Sequence, residues 1–501
     1  MKIFSANQIR QWDRFTIENE ETSSLQLMER AAKSCTSWLI NRFGSSVEYC
    51  VLCGPGNNGG DGLAVARLLN AEGAAVTVFA DLQSSFKTED ARSNFKALQQ
   101  EFAVTISDLN KFPNGWLDGS VIFIDALFGA GFSGNLGGVY RSAVLKLNAL
   151  DNMKVSVDLP SGLGADEYSG PDSVVVSADY TLTFQSQKKT FLHTETGTFC
   201  GKVVVLDIGL SKDFYEAETS EQFTVDEQLI RKFYHRRSSF SHKGDFGKSL
   251  IVAGSYGKTG AAVLAVRGAL RTGSGITVSA GPSCGYNILQ TACPEAMFEA
   301  FGTTHLTAFK AGEDTVVGVG PGLGRHPQTA AALRDFLHRW RKPLVVDADA
   351  LNILAEDPEF LRLLPAQSII TPHPREFERL FGKTSDSFNR TSLAKQIAAE
   401  LNICIVLKNH HTQVITSSGK VYYNTSGNAG MAKGGSGDVL LGMITALLAQ
   451  KYSTEQAAVL GVWIHGKAGD LAAEKKSQEA MLATDLLDEI GNVFLALTSE
   501  V

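Results

Sequence analysis

The stretch Asn428-Ala-Gly-Met-Ala-Lys-Gly-Gly-Ser-Gly-Asp438 leads into a long apolar helix predicted over 437–450. Three glycines stand at its start, namely Gly434, Gly435 and Gly437. Glycine lets backbone amides wrap around phosphate oxygens, and the N-terminus of a helix adds partial positive charge. The pattern therefore predicts an anion site in which Asp438 lies beside a phosphate in transfer and takes a proton from an acceptor hydroxyl. The alternative is that Asp438 only caps the helix.

The rest of the chain alternates short apolar runs with helical patterns. In the second half, strands are predicted at 249–254, 276–280, 315–320, 343–347, 368–372 and 404–407. In the first half, strands are predicted at 47–53, 75–80, 121–126, 154–159 and 180–184, with helices at 61–72 and 88–101 and a further helix capped by Ser5. This alternation is typical of α/β domains, in which helices cover both faces of a parallel sheet.

A polar and acidic stretch at 211–221 separates the two series of strands. We interpret it as a linker between one domain at 1–215 and another at 222–501. The two halves do not repeat each other, so the sequence predicts two different α/β domains in one chain.

Composition and charge exclude several classes of protein. Of the 501 residues, 44% are hydrophobic and 20% are charged, and the net charge is −7, which does not fit a binder of nucleic acid. No apolar run is long enough to cross a membrane, and residues 1–15 lack the apolar core of a secretory signal. We therefore expect a cytoplasmic protein with neither a nucleic acid nor a membrane as partner.

The seven cysteines are irregularly spaced, and Cys50 and Cys53 fall in a predicted buried strand, which favours a structural role over a redox or zinc site.

A glycine-rich turn, Gly54-Pro-Gly-Asn-Asn-Gly-Gly-Asp-Gly62, follows the first predicted strand. Such a turn between a parallel strand and a helix is a typical anion site. Two further predicted strands end in acidic loops, which contain Asp125 and Asp158. Because ligands bind outside the carboxyl ends of parallel strands, Asp61, Asp125 and Asp158 are predicted to converge on one site.

Three motifs of the first half occur in the order typical of the NAD(P)H-hydrate epimerase family: N-N-G-G-D-G, D-A-L-F-G-A-G and V-D-L-P-S-G. Residues 1–215 resemble that family, and the resemblance implies a Rossmann-like parallel-sheet sandwich that binds a hydrated nicotinamide cofactor and a potassium ion. It implies a catalytic contact of Asp158 with the damaged ring, and potassium held by Asn58, Asp125 and Ser161. The implied substrate contacts are Asn57, Asn58, Gly59, Gly60, Asp61, Gly129, Ala130, Gly131, Phe132, Ser133, Gly134 and Asn135.

The second half carries a further ordered set of motifs: H-K-G at 242–244, G-P-G-L-G at 320–324, V-V-D-A-D-A-L-N at 345–352, T-P-H-P at 371–374 and G-M-A-K-G-G-S-G-D at 430–438. This half resembles the ribokinase-like fold and, within it, the ADP- or ATP-dependent NAD(P)H-hydrate dehydratase family. In that family nucleotide hydrolysis drives the loss of water from the S-form of the hydrate. The resemblance implies substrate contacts by Ala261, Gly322, His373 and Asp438. It implies nucleotide contacts by Lys408, Asn409, His410, His411, Thr412, Gly434, Gly435 and Gly437.

Four residues of this half allow more than one interpretation. Asn409 stands where the family has glycine after lysine, and asparagine is the residue other than glycine that best tolerates positive φ. For His410 and His411 we favour a polar loop over a metal site, because adjacent histidines seldom bind one ion unaided. His373 has a proline on either side at a strand end, and we favour a ligand role over that of a satisfied surface group.

The two resemblances together predict a repair enzyme, because a dehydratase selective for one epimer needs an epimerase to clear the other. Its ligands would be NADHX or NADPHX with ADP or ATP as co-substrate, potassium in the first half and magnesium in the second, and we expect a homo-oligomer. Two alternatives stay open. The second half could be a kinase for a hydroxymethyl or sugar substrate, and the first could be a non-catalytic nucleotide-binding module.

Overall fold

The computed structural model describes residues 1–83, 85–101, 103–115 and 119–499. The chain divides into two compact units, one made of Lys2–Ser220 and the other of Met1 with Glu221–Val501. Both units are α/β, as predicted, and each is built on a sheet of its own. Within the described part of the chain, no helix combines the length and the apolar character that a membrane span requires.

The first unit contains a seven-stranded sheet in which every pair of neighbouring strands is parallel. Its strands are β1 (Glu48–Cys53), β2 (Ala75–Ala80), β3 (Thr105–Asp108), β4 (Ile122–Ala126), β5 (Lys154–Val157), β6 (Tyr180–Phe184) and β7 (Lys202–Leu206). Their order is β3-β2-β1-β4-β5-β6-β7, so the order reverses at β1 and β4. Ligands of such sheets bind at this reversal, outside the carboxyl ends of the strands.

Helices cover both faces of the first sheet. They are α1 (Ala6–Asn19), α2 (Ser24–Phe43), α3 (Asn57–Ala71), α4 (Glu89–Leu98), α5 (Gly138–Asn148), α6 (Thr194–Gly197) and α7 (Lys212–Ala217). Ser5 caps α1 as predicted, since its side chain accepts a hydrogen bond from the Gln8 amide. Cys50 and Cys53 point into separate apolar clusters on opposite faces of β1, as the alternation of the strand requires, and all seven cysteine thiols are free.

The second unit contains a ten-stranded mixed sheet. Its strands are β8 (Gln222–Val225), β9 (Lys248–Val252), β10 (Ile276–Gly281), β11 (Met297–Ala300), β12 (Thr315–Val319), β13 (Leu344–Val346), β14 (Ile369–Ile370), β15 (Cys404–Leu407), β16 (Gln413–Ile415) and β17 (Val421–Asn424). The order is β11-β10-β9-β12-β13-β14-β15-β16-β17-β8, and only the pairs that include β16 are antiparallel.

Eleven helices of the described residues surround this second sheet. They are α8 (Glu227–Phe233), α9 (Thr259–Arg271), α10 (Tyr286–Ala292), α11 (Pro327–Arg339), α12 (Ala348–Leu354), α13 (Pro358–Leu361), α14 (Pro374–Phe381), α15 (Ser387–Glu400), α16 (Ser436–Ala449), α17 (Thr454–Lys476) and α18 (Ala483–Thr498). Helix α16 is almost entirely buried, and it packs with α9, α17 and α18 in one apolar cluster. The apolar sequence of α16 therefore drives its burial, and this packing fixes the position of its N-terminal turn.

Two predicted segments differ from the structure. Helix α3 begins at Asn57, so the asparagines and glycines predicted as a turn form its first two turns instead. The stretch 211–221, predicted as a linker, contains α7, because Phe214 packs against Phe4 and Trp12 and gives the stretch an apolar anchor.

Candidate active sites

A cavity of about 870 Å³ opens in the first unit at the carboxyl ends of β1, β4 and β5. Its wall includes the N-terminal turns of α3, the loop that follows β4, and parts of α1 and α2. A cavity of this volume is in the range of small-molecule sites. The glycine-rich segment and the two acidic strand ends therefore meet at one place, as the sequence predicted.

Asp158 is held rigidly at the end of β5. Its backbone is in the left-handed region, with φ of 65°. Its Oδ2 accepts a hydrogen bond of 2.7 Å from the Ala130 amide, and its Oδ1 lies 2.8 Å from Nζ of Lys188. The Lys188 side chain is only 2% exposed, so this ion pair is shielded from water. Both carboxylate oxygens of Asp158 are therefore engaged by the protein.

Asn58, Asp125 and Ser161 lie at the adjoining strand ends. Asp125 is fully buried and accepts hydrogen bonds from the Ser161 amide (2.8 Å), the Ser161 hydroxyl (2.5 Å) and the Ser156 hydroxyl (2.8 Å). Burial raises the pKa of Asp125, and these hydrogen bonds oppose the rise. Neither polar atom of the buried Asn58 amide has a hydrogen-bond partner in the protein. An unsatisfied buried amide is costly, so Asn58 is ready to bind a ligand atom or an ion.

The predicted substrate residues of this unit fall into three groups. Asn57, Asn58, Asp61, Gly129, Ala130, Gly131, Phe132 and Ser133 line the cavity. Gly59 and Gly60 instead allow close packing, because a Cβ on Gly59 would lie 1.9 Å from the Gly54 carbonyl oxygen and one on Gly60 would lie 2.9 Å from Met28 Sδ. Gly134 and Asn135 lie beyond the lining, where Asn135 accepts a hydrogen bond from the Ser173 hydroxyl.

Asp13 and Lys188 are lining residues that the sequence analysis did not identify. Burial and the nearby charge of Asp158 raise the pKa of Asp13 to about 6, although Lys188 opposes the rise. Burial also raises the pKa of Asp61 well above its ordinary value, and Asp158, Asp13 and Asp90 add to that rise. Among the lining residues, Asp13, Asp61 and Asp158 thus act on one another electrostatically, and the buried Lys188 acts on Asp13 and Asp158.

In the second unit, the N-terminus of α16 forms the predicted glycine-rich turn. Gly435 is the N-cap residue with φ of 101°, and a Cβ there would lie 2.6 Å from Leu264, so glycine is required. Asp438 belongs to the first turn of the helix rather than to its cap. The capping alternative for Asp438 is therefore wrong, and its chemical role stays a prediction.

Asp438 combines partial burial with nearby charges. Burial raises its pKa to about 7, with a further rise from Asp347 and Asp349 and an opposing effect of Lys408. A carboxyl group with a pKa close to neutral is suited to proton transfer at physiological pH.

Lys408 connects the strand ends to this helix terminus. Its Nζ lies 2.8 Å from Oδ1 of Asp347 and 4.0 Å from Oε2 of Glu376. A Cβ on Gly437 would lie 3.4 Å from the same Nζ and 3.6 Å from Oδ2 of Asp347. Lys408 and the glycine turn are thus neighbours in space, although they are separated in sequence. Asp347 and Glu376 also belong to this site, and the sequence analysis does not predict them.

Ala261 and Gly322 are also neighbours. Gly322 has φ of 60°, and a Cβ on it would lie 2.7 Å from the Lys258 carbonyl oxygen and 3.0 Å from Cβ of Ala261. The Lys258 ammonium lies 3.1 Å from Oδ2 of Asp349. The same oxygen accepts a hydrogen bond of 2.8 Å from the Gly324 amide. The glycine-rich segment after β12 is therefore fixed against the start of α9.

His373 has a structural task. It is the N-cap residue of α14, and its Nδ1 accepts hydrogen bonds from the amides of Arg375 (3.1 Å) and Glu376 (3.3 Å). Its Nε2 lies 3.4 Å from Oε1 of Glu376. Burial lowers the pKa of His373, whereas the charge of Glu376 opposes this effect. The predicted ligand role stays a prediction, with Nε2 as the nitrogen that is not used for capping.

The predicted nucleotide loop 408–412 joins β15 to β16 in an antiparallel pair. The rings of His410 and His411 contact each other, with 3.3 Å between their Nδ1 atoms, and Thr412 donates a hydrogen bond to the Asn409 carbonyl oxygen. Gly434, at the other predicted segment, has open space where a Cβ would lie. Among the described residues, no group of three or more His, Cys, Asp or Glu side chains is arranged to hold a metal ion.

His465 on α17 forms a hydrogen bond with Ser436, the first residue of α16. Its Nε2 lies 2.9 Å from the Ser436 carbonyl oxygen, and burial lowers the pKa of the ring to about 4. A neutral ring that donates to this carbonyl fixes the first residue of α16. The sequence gives no local signal for this contact, because His465 lies within a long helix far from any motif.

Two family models match the chain. Residues 24–190 match the family described as YjeF-related protein N-terminus, and residues 249–492 match the family described as NAD(P)H-hydrate dehydratase. Each match falls inside one of the two compact units. The matched segments contain the two constellations described above.

Relatives match the whole length of the chain. The bifunctional NAD(P)H-hydrate repair enzyme Nnr of Moorella thermoacetica is 34% identical over 522 residues, which cover 100% of this chain and 98% of the relative. The enzyme of the same name from Thermofilum pendens is 34% identical and covers 100% of this chain and 97% of the relative. A crystal structure of an ADP/ATP-dependent NAD(P)H-hydrate dehydratase from Bacillus subtilis, co-crystallised with ATP and Mg²⁺, is 30% identical. It covers 55% of this chain and 98% of its own, with a TM-score of 0.48.

Proposed function

The chain belongs to the bifunctional NAD(P)H-hydrate repair enzymes, with an epimerase and a dehydratase in one polypeptide, and we propose how its residues divide this work. The dehydratase reaction is assigned to the N-terminus of α16 and the epimerase reaction to the cavity of the first unit. The observation that carries the assignment is the placement of Asp438 beside Gly437 and Lys408, because it joins a base of near-neutral pKa to a phosphate-binding turn.

In the dehydratase site, Asp438 would take the proton of the hydrate's hydroxyl as its oxygen attacks the terminal phosphorus of ADP or ATP. The amides of the turn at Gly434, Gly435 and Gly437 would bind phosphate oxygens, and the α16 terminus would stabilise the charge that develops on them. The bond from this phosphorus to the departing AMP or ADP would break as the new one forms, which converts the hydroxyl into a phosphate ester. Phosphate, a better leaving group than hydroxide, would then leave with the electron pair of the carbon–oxygen bond, and the neighbouring ring carbon would release a proton to water, which restores the ring double bond.

The nucleotide is proposed to bind between the α16 turn and the loop 408–412. The proximity of Lys408 Nζ to Gly437 supports this placement, because one ammonium can then neutralise the phosphates bound by the glycine turn. Ala261, Gly322 and His373 are proposed to contact the hydrate. The magnesium expected in this half would arrive with the nucleotide phosphates, and Oδ2 of Asp347, which faces Gly437, is the protein oxygen suited to it.

In the epimerase site, the residues fit a potassium ion. The unsatisfied Asn58 amide, the buried Asp125 carboxylate and Ser161 offer only hard oxygen ligands, with a single negative charge. One carboxylate among neutral oxygens suits a large monovalent cation better than Mg²⁺ or Ca²⁺, which usually recruit more acids or phosphates. When bound, the ion would supply positive charge between the start of α3 and the ends of β4 and β5, and it would hold these three segments in place. Asp158, anchored by Lys188 and the Ala130 amide, is proposed to position the damaged ring.

The dehydratase assignment is tested by supplying the pure S-form with ADP or with ATP and following NADH and inorganic phosphate together. We expect one phosphate for each NADH formed. A stable phosphorylated product without NADH would instead indicate the kinase alternative. The same pair of reactions decides which nucleotide is preferred. The cytoplasmic location and the homo-oligomer expected from the sequence stay predictions.

A further inference from the structure

Three carboxyl groups of the epimerase cavity differ in what they can do chemically. Asp158 is held by an ion pair with Lys188 and a hydrogen bond from Ala130, so both of its oxygens are engaged in positioning. Burial, with further contributions from Asp158, Asp13 and Asp90, raises the pKa of Asp61 well above its ordinary value. Asp158 is thus engaged in positioning, and Asp61 favours its neutral form more strongly than an ordinary aspartate does.

Asp13 lies on α1 and lines the same cavity. It is one helical turn from both Ile9 and Ile17, which line the cavity as well, so it stands on the apolar face of α1. Burial is the largest cause that raises its pKa to about 6, followed by the charge of Asp158, while Lys188 lowers it. A pKa close to the working pH allows one group to act first as acid and then as base.

The other charged groups around Asp13 come from several elements. Asp61 on α3, Asp158 after β5 and Lys188 after β6 are those whose charges couple to it. The further charged side chains of the cavity wall are Arg10, Arg14, Glu18 and Lys87. The groups that act on Asp13 most strongly are thus the members of the Asp158–Lys188 pair.

We propose that Asp13 is the catalytic acid and base of the epimerase reaction, and that Asp158 with Lys188 positions the substrate beside it. This inference rests on the epimerase function proposed for the first unit. It assigns proton transfer to a residue outside the three motifs that identify this half of the chain.

The chemistry follows from the structure of the hydrate. Water adds to an enamine double bond at the carbon attached to the ring nitrogen, so the hydroxyl of the hydrate stands on that carbon. Asp13 gives its proton to this hydroxyl, the carbon–oxygen bond breaks with its electron pair going to oxygen, and water departs. The lone pair of the ring nitrogen forms the carbon–nitrogen double bond. Water then adds to the opposite face and its proton returns to the Asp13 carboxylate, so atoms and charge balance.

The test uses the full chain, the pure R-form of NADHX and no nucleotide, so that only epimerisation is observed. Asp13→Asn removes the acid at nearly constant volume, and we expect kcat to fall by ~10²–10⁴ with little change in KM. Asp13→Glu keeps a carboxyl group and should retain activity well above that of the Asn variant. Glu72→Gln, which neutralises an exposed carboxyl group at the end of α3, is the matched control and should behave as the native chain does.

The pH profile separates proton transfer from a structural role. In the native chain the epimerase rate should fall as pH rises through about 6, because Asp13 then loses the proton that it must donate. The Asn variant should lack this fall, whereas a merely structural change would lower the rate and leave the profile unchanged. An Asn variant within threefold of the native rate, or with the native profile, would overturn the inference. A native chain that does not epimerise NADHX would instead overturn the epimerase assignment itself.

Discussion

Replacing Asp438 with asparagine should remove dehydratase activity and also stabilise the second unit. The substitution conserves shape and removes the base, for which the expected loss in kcat is ~10²–10⁴-fold. Burial and the charge of Asp347 raise the pKa of Asp438 from 3.8 to about 7. The native activity should therefore rise with pH through about 7 as the base ionises, and the residual activity of the variant should lack this rise.

The stability effect has a defined sign. Because the folded state holds the Asp438 proton more tightly than the unfolded state, native stability falls as pH increases from about 4 to about 7. Each pKa unit is worth about 1.4 kcal/mol, so the variant should gain at most about 4 kcal/mol at pH 8 and nothing at pH 3. That gain corresponds to a rise of several degrees in the unfolding temperature of this unit.

The assays are the pH dependence of S-form dehydration and thermal unfolding followed at pH 4 and pH 8. Asp335→Asn, an exposed carboxyl group on α11, is the control and should change neither measurement. Near-native turnover of the Asp438 variant, or a residual activity that still rises through pH 7, would refute the assignment of the base. If the variant and the native chain differ in stability by the same amount at pH 4 and at pH 8, the electrostatic explanation is refuted.

Two further predictions concern other parts of the two sites. The epimerase rate of the native chain should be higher in potassium chloride than in tetramethylammonium chloride at equal ionic strength. Asp125→Ala should lose both epimerisation and substrate binding. Equal rates in the two salts, together with an active Asp125→Ala variant, would contradict the cation site. Gly322→Ala should lower dehydratase activity and destabilise the second unit by ~1–3 kcal/mol, because its φ of 60° and the Lys258 carbonyl oxygen 2.7 Å from the new Cβ both oppose a side chain. Gly491→Ala on α18, where a Cβ meets no atom within 4 Å, should instead stabilise the chain slightly, and equal effects of the two substitutions would refute the strain argument.

Sequence patterns predicted the bounds of several strands and of one buried helix. Strands β2, β6 and β15 have the predicted bounds, and α16 is shifted by one residue. For β15 the reason is that a strand buried at every position is apolar along its whole length. The start of α3 could not be predicted, because glycine has a low helix propensity. Tertiary packing prevails there, since a Cβ on Gly62 would lie 2.5 Å from Cβ of Ala126 on the adjacent strand.

Lys188 and Asp13 show why some site residues are not predicted from sequence motifs. Asp438 and Asp158 lie in glycine-rich or strand-end motifs, so their neighbourhood in sequence predicts their place in the fold. Lys188 carries no such signal, because only the folded chain shows that its ammonium is buried against Asp158. Asp13 did leave a trace, since an acid four residues from Ile9 and from Ile17 stands on the apolar face of an amphipathic helix. An acidic residue on the apolar face of a helix is therefore a sequence signal for a site residue.

Clearance of a mixture of the R and S forms of NADHX tests whether this one chain repairs both epimers. With potassium, magnesium and the preferred nucleotide, the full chain should convert the whole mixture to NADH, with one phosphate released for each hydrate. Asp438→Asn should bring the two epimers to equilibrium and form NADH only ~10²–10⁴-fold more slowly than the native chain does. An R-form that disappears from the native reaction only at its spontaneous rate, or a phosphorylated hydrate that accumulates in place of NADH, would contradict the claim.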